Sequence, residues 1–212
     1  MHYLYFLVLQ FITMANTLFP FDSQITYEQR KKVMMQEPRL IWLTGLSGSG
    51  KTTLALRLEH YFFCKGFKVF ILDGDNVRNG LCKDLGFSED DRTENLRRVG
   101  EISRLMLDAG LIVISAFISP CGDDRMAIKK IVGEQRFIEV YVNGTVEVCE
   151  KRDVKGLYAK ARQGIIPNFT GVSAPYDPPV SPDVELCTDE ETIEESVQKI
   201  IKLVEPVISL KI

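Results

Sequence analysis

Short apolar runs alternate with longer stretches of helical spacing along this chain. The runs are RLIWLT (Arg39–Thr44), FKVFIL (Phe67–Leu72), LIVIS (Leu111–Ser115) and FIEVYV (Phe137–Val142), with a shorter fifth at Val184–Leu186. Nearly continuous hydrophobics in short runs predict strands buried on both faces, as in a parallel sheet. Between them the spacing predicts helices. Thr53–Tyr61 carries Leu54, Leu56 and Leu58 for packing, and Thr93–Ala109 carries Leu96, Val99, Ile102, Leu105 and Met106. Asp123–Val132 reads as a further helix and Thr145–Lys151 as a short one. Glu190–Val204 closes the chain with an amphipathic helix bearing Ile193, Val197, Ile200, Ile201 and Val204. This alternation predicts an α/β fold, a parallel β-sheet with helices on both faces. Arg152–Asp183 breaks the pattern with glycines, prolines and little periodicity. An irregular stretch of that length reads as a lid over a functional site.

Composition narrows the class. The chain has 212 residues, 45% hydrophobic and 26% charged, which fits one globular domain with a substantial core and argues against disorder. A net charge of −3 gives no reason to expect nucleic acid, whose footprint is a basic stripe. The cysteines at 64, 82, 121, 149 and 187 are scattered, with no C-x-x-C spacing and no Cys/His cluster. That argues against a disulfide framework or structural zinc and fits a reducing cytoplasm. At the N-terminus, Tyr3–Ile12 (YLYFLVLQFI) is strongly apolar but far shorter than the roughly 20 residues of a membrane span. With no Lys or Arg ahead and no A-x-A cleavage site, it predicts neither a membrane helix nor a secretory signal. The sequence from Met14 reads as an ordinary start, so the preferred reading begins translation there. A weak hydrophobic contact with a partner, or within an oligomer, is the other.

The strongest chemical signal follows the first strand. Gly45–Thr52, GLSGSGKT, spells G-x-x-x-x-G-K-T between a strand and a helix, the P-loop that cradles nucleoside triphosphates. Gly45, Gly48 and Gly50 let the backbone turn tightly, so that successive N–H groups point at phosphate oxygens. Lys51 supplies a cation for the β- and γ-phosphates, and Thr52 a hydroxyl for Mg²⁺. The phosphates then lie at a helix N-terminus, where free N–H groups and the dipole favour negative charge. The stretch predicts an ATP or GTP site. The second strand leads into LDGDNVRNGL, where Asp73 and Asp75 flank one glycine. In extended geometry both carboxylates face the same side. One is suited to organise Mg²⁺ and the other to accept a hydroxyl proton. Spacing does not divide the roles; Asp75 is the preferred base. An isolated pair of this kind also fits an Asp-Gly surface turn. Arg78, Arg92, Arg97 and Arg98 lie among acidic residues, either as surface ion pairs or as forked clamps on an anionic acceptor.

GLSGSGKTT, LDGDNVRNGL, DLGFSEDDRTENLRR, FISP, KGLYAKAR and NFTGVSAPYDPP occur in this order, and together they resemble the adenylylsulfate kinase family. The likeness extends from Pro20 to Val204. It implies a P-loop nucleoside-triphosphate hydrolase-like three-layer fold with a kinase domain over 20–212, a lid over 152–183, and an apolar extension over 1–19. The implied reaction moves the γ-phosphate of ATP to the 3′-hydroxyl of adenosine 5′-phosphosulfate (APS). The products are 3′-phosphoadenosine 5′-phosphosulfate (PAPS) and ADP, with Mg²⁺ as cofactor. The resemblance also implies a homodimer and leaves a functional coupling to ATP sulfurylase open.

Carried over position by position, the resemblance assigns Gly45, Leu46, Ser47, Gly48, Ser49, Gly50, Lys51, Thr52 and Thr53 to ATP. Arg152 lies over the ATP adenine or phosphates, where a planar guanidinium suits either task. Thr52 and Asp73 take the metal; Lys51, Asp73, Asp75 and Ser119 form the catalytic set. Asp75, Asn76, Arg78, Arg92 and Asn95 meet APS, the two arginines on its phosphosulfate. Phe87 and Phe169 match the faces between which its adenine stacks; from the sequence alone both read as core. Ile118 and Ser119 lie near the acceptor, and Lys155, Leu157 and Thr170 belong to the lid side of the same site. Ser119 matches a serine for which a phosphoserine intermediate has been proposed in the family. Direct in-line transfer is preferred, because paired substrates need no covalent relay. Cys121-Gly122 depart from the family pattern, which usually has an aromatic residue after FISP and often a basic residue near it. A looser wall behind the acceptor, or a missing anion contact, is the expected result. Two other readings stay open. One is another small-metabolite P-loop kinase, acting for example on gluconate or shikimate, which would not need two stacking phenylalanines. The other is a nucleotide-binding partner of an ATP sulfurylase without catalysis, against which intact Lys51, Thr52, Asp73 and Asp75 argue.

Overall fold

The computed structural model describes residues 23–210; the Tyr3–Ile12 run, Met14 and the boundary at residue 19 lie outside them. Five strands form one sheet: β1 (Leu40–Thr44), β2 (Val69–Asp73), β3 (Ile112–Ala116), β4 (Phe137–Asn143) and β5 (Val184–Cys187). All pairings are parallel, in the order β2-β3-β1-β4-β5. Around it run α1 (Tyr27–Met34), α2 (Lys51–Cys64), α3 (Gly74–Asn79), α4 (Glu89–Asp108), α5 (Gly122–Val132), α6 (Val146–Lys151), α7 (Leu157–Arg162) and α8 (Ile193–Ile208).

The three layers follow from the apolar runs. Along central β1, Ile41 and Leu43 pack with Leu54 and Leu58 of α2 and Ile200 and Val204 of α8. Leu40 and Trp42 face the other way, onto Leu96 and Val99 of α4 and Ile128 and Val132 of α5. Each fully buried aliphatic side chain contributes about 1.5–3 kcal/mol, so a strand covered on both sides has no polar face. The helix patterns needed small corrections. Leu54 and Leu58 are buried but Leu56 is exposed, because it points half a turn away from them. In α4 the stripe runs through Leu96, Val99 and Leu107, leaving Leu105 exposed, and Ile193 at the start of α8 is also exposed.

Three helices carry no periodic signal. α1 buries no side chain and rests on a capping box, in which Thr26 accepts from the Gln29 N–H and the Gln29 side chain from the Thr26 N–H. α3 and α7 are short helices of 6 residues each, the first inside the Asp-Gly segment and the second inside the irregular 152–183 stretch. At the opposite end of the sheet, buried Gln36 ties two loops together. Its Nε2 donates to the carbonyls of Lys68 (3.0 Å) and Gly110 (2.8 Å), and its Oε1 accepts from the Lys68 N–H (2.8 Å). Gln36 also bridges Ser209, and the neighbouring Glu37 N–H donates to Ile208 (2.8 Å). Among the described residues no helix is long and apolar enough to cross a membrane.

Candidate active site

The phosphate loop leaves β1 and enters α2, and its shape depends on glycine. Gly45 has φ 151° and Gly48 φ 78°. A Cβ on Gly45 would collide with the Val142 carbonyl, and one on Gly48 would lie 2.8 Å from the Cys149 carbonyl. Buried Lys51 folds back over the loop, donating to the carbonyls of Gly45 (2.9 Å) and Leu46 (2.6 Å). Burial pushes its ammonium down to about 8, since desolvation disfavours the charged form. Leu46 and Ser49 are buried, while Thr52 and Thr53 are exposed at the helix start.

Asp73 ends β2 and caps α3: its Oδ1 accepts from the Asp75 N–H (3.0 Å). Its Oδ2 accepts from the Thr52 hydroxyl (2.9 Å). The helix starting at Gly74 replaces the extended geometry expected for the D-G-D segment, and the two carboxylates acquire different partners. Asp75 pairs with Lys155 of the irregular 152–183 stretch, both side chains being exposed. Asn76 lies exposed on the same helix.

The four arginines separate cleanly. Arg97 pairs with Glu94, and Arg98 with Glu94 and both oxygens of Asp84, so these are ion pairs on the surface. Arg78 and Arg92 have no carboxylate partner among the described residues. Arg78 donates to the Gly86 carbonyl (2.7 Å) and lies over the Phe87 ring at 4.4 Å. Arg92 bridges two distant segments: it donates to the carbonyls of Phe87 (3.0 Å) and Asn168 (2.6 Å) and to the Thr170 hydroxyl (3.2 Å). Phe87 is 67% exposed, whereas Phe169 is 8% exposed and packs edge-on to Tyr158. Asn95 is buried with its Oδ1 lacking a partner among the described residues.

Ser119, at the end of the β3 loop, has φ 42° and is 2% exposed. Its hydroxyl donates to Thr44 Oγ1 (2.8 Å) and accepts from Trp42 Nε1 (3.1 Å). Thr44 in turn donates to the Ile118 carbonyl (2.8 Å). The hydroxyl is therefore enclosed by β1 side chains, an arrangement that suits a structural tie better than a nucleophile. Leu157 starts α7, its N–H donating to Asp153 (2.8 Å), and Arg152 is anchored on the Thr188 carbonyl (2.6 Å) after β5.

Two residues that the sequence did not single out hold this region together. Buried Arg125 on α5 donates to the Ser119 carbonyl (2.7 Å), Glu139 of β4 (2.9 Å) and the Asp177 carbonyl (2.7 Å). Tyr158, wholly buried, donates from its hydroxyl to the Ser47 carbonyl (2.9 Å). Arg125 looks like one more charge on the polar face of D-D-R-M-A-I-K-K, and its burial has no local signal. Tyr158 stands within KGLYAKAR, so the motif marked its position without its role. Separately, a cleft of about 530 Å³ opens between Leu46, Tyr141, Val146 and residues 171–176. It shares only Leu46 with the expected site.

Comparison with known proteins adds to this geometry. A family profile described as adenylylsulphate kinase matches residues 37–187. The adenylyl-sulfate kinase of Staphylococcus epidermidis is 51% identical over 181 residues, covering 85% of this chain and 91% of that protein. Among solved structures, the Mycobacterium tuberculosis APS kinase in complex with AMPPNP and APS aligns with a TM-score of 0.77 and 43% identity. That alignment covers 80% of this chain and 98% of the other. A hexameric APS kinase from Thiobacillus denitrificans aligns with a TM-score of 0.62 and 28% identity, over 82% of this chain and 30% of that one.

Proposed function

Since the chain belongs to the adenylylsulfate kinase family, we propose that it transfers the γ-phosphate of ATP to the 3′-hydroxyl of APS, releasing PAPS and ADP in sulfate activation. The observation that carries the reading is the pair Arg78 and Arg92. Among the described residues neither has a carboxylate partner, and both lie beside the exposed Phe87, while Arg97 and Arg98 are consumed by carboxylates. A dianionic phosphosulfate next to a flat adenine meets those two cations and that ring together.

The remaining residues take roles consistent with their contacts. The loop from Gly45 to Thr53 binds the triphosphate through its N–H groups, and Lys51 swings from the Gly45 and Leu46 carbonyls to the phosphate oxygens. Thr52 and Asp73 are hard oxygen donors 2.9 Å apart, which fits Mg²⁺, the more so because the phosphates supply further ligands. Held there, Mg²⁺ would neutralise charge on the β- and γ-phosphate oxygens. The Thr52 contact commits Asp73 to that side and leaves Asp75 to accept the 3′-hydroxyl proton, with Lys155 positioned to steady its charge. The unmet acceptor of Asn95 suits a donor on the nucleotide. Phe87 and Phe169 contribute unequally to stacking, the first with an open face and the second as a buried edge of the pocket. Ser119 orders the acceptor loop, and transfer runs directly in line. Arg152 and Leu157 complete the lid side, which excludes water from the transfer.

The experiment is ADP formation from ATP and Mg²⁺ with and without APS, with the product nucleotide identified by mass. APS-dependent ADP and a 3′-phosphorylated product are expected. ATP binding without stimulation by APS would instead favour the catalysis-free nucleotide-binding reading, which the intact Thr52–Asp73 contact argues against. The assembly belongs to the same proposal: a homodimer, with the hexamer of the Thiobacillus relative as the contrasting outcome in light scattering. The five free cysteines support the cytoplasm as the compartment. Coupling to an ATP sulfurylase would appear as a faster PAPS yield when the two enzymes are mixed. The kinase domain is taken to begin near residue 20, with 152–183 as its lid.

A further inference from the structure

Tyr158 stands between the two halves of this site. Its ring is fully buried and meets Phe169 edge-on at 5.0 Å, while its hydroxyl reaches 2.9 Å across to the Ser47 carbonyl. In a trans peptide the C=O and the following N–H point in opposite directions. Holding the Ser47 carbonyl from outside therefore turns the Gly48 N–H toward the inside of the phosphate loop. Gly48 has φ 78°, and a Cβ there would lie 2.8 Å from the Cys149 carbonyl, so this turn is open to glycine. The ring itself is fixed from below, because the Asp153 carboxylate accepts from the Leu157 and Tyr158 N–H groups (2.8 and 2.9 Å). At the other end, Phe169 is flanked by Asn168 and Thr170, both of which accept from Arg92.

We infer that Tyr158 is a positioning residue that couples the donor loop to the acceptor side, so that triphosphate binding and APS binding strengthen each other. The chain of contacts runs from Gly48 through Ser47, Tyr158 and Phe169 to Arg92 and Phe87. When phosphate fixes the Gly48 N–H, the Ser47 carbonyl and the Tyr158 hydroxyl are fixed with it. Phe169 and the Arg92 bracket then hold the shape that receives the adenine. The inference rests on the proposed reaction for its acceptor, APS.

The test is Tyr158→Phe, which removes one oxygen and keeps the ring against Phe169. AMPPNP binding, and APS binding with and without AMPPNP, are measured by calorimetry on the full chain. In the wild type, AMPPNP raises APS affinity. In Tyr158→Phe, AMPPNP affinity falls about 3–10-fold, the scale of one lost hydrogen bond, and the AMPPNP-dependent gain in APS affinity shrinks toward one. A purely structural role would lower the melting temperature and leave that ratio alone. An unchanged ratio overturns the inference whatever happens to AMPPNP affinity, as does a wild type whose two ligands bind independently. Should Tyr158→Phe fail to fold, Phe169→Leu reads the same path from its other end and must lower the same ratio. PAPS formation by the wild type is followed in parallel. A wild type that makes PAPS without coupling defeats only this inference, whereas one that makes none strikes the proposed reaction itself.

Discussion

Asp73 and Asp75 are two residues apart and chemically alike, yet their surroundings separate them. Asp73 is committed to Thr52 and to the first turn of α3, whereas Asp75 pairs with Lys155. Asp75→Asn is therefore expected to lower kcat by about 10²–10⁴-fold, the range of a lost general base, with AMPPNP affinity nearly unchanged in calorimetry. Retained turnover would return the proton to another acceptor. Gly48→Ala adds a Cβ 2.8 Å from a carbonyl at φ 78°; strain of about 1–3 kcal/mol should lower the melting temperature and weaken AMPPNP binding together. At Cys121, which precedes α5 without a side-chain cap, restoring an aromatic residue tests the expected loose wall. Cys121→Phe should keep turnover and leave the APS KM the same or lower. A large loss in both parameters would mean that the wall is already closed. The glycines, the lysine and both aspartates stand out in the sequence because each proposed task asks for a residue type at a fixed spacing. Their partners were not: nothing local pairs Asp75 with a lysine 80 positions on, or encloses Ser119 between Trp42 and Thr44.

Among the elements, those with a buried face announced themselves and those without one did not. The strands and α2, α4, α5 and α8 follow apolar period, with ends up to four residues from those expected; at the start of α4 and of α8 a side-chain cap sets the boundary. Ser88, whose hydroxyl accepts from the Asp91 N–H at 3.1 Å, starts α4 four residues before the expected Thr93 and brings Arg92 into its first turns. α1 and α7 bury too little for a stripe to form. The loop after β3, β4 and the segment at Asp177 meet at Arg125, whose guanidinium satisfies three acceptors while 5% exposed. Burial raises the Glu139 carboxyl against the opposing pull of this arginine. Arg125→Met would leave Glu139 and two carbonyls unmatched, so chemical denaturation should show a loss of about 3–5 kcal/mol, with APS-dependent turnover falling as Ser119 loses its hold. A variant as stable as the wild type would show that water replaces the guanidinium at little cost.

Across the whole molecule, the loops at the C-terminal ends of the strands hold the candidate site, as doubly wound sheets arrange ligand sites, and the opposite rim is stitched shut. There Gln36 spans the turns before β2 and β3, and the chain just before β1 lies against the end of α8 through the Gln36–Ser209 and Glu37–Ile208 contacts. The segment entering β1 and the end of α8 thus lie beside one another, on the rim away from the phosphate loop. That rim is where the fold is fastened, so a substitution at Gln36 is felt as stability rather than as nucleotide affinity.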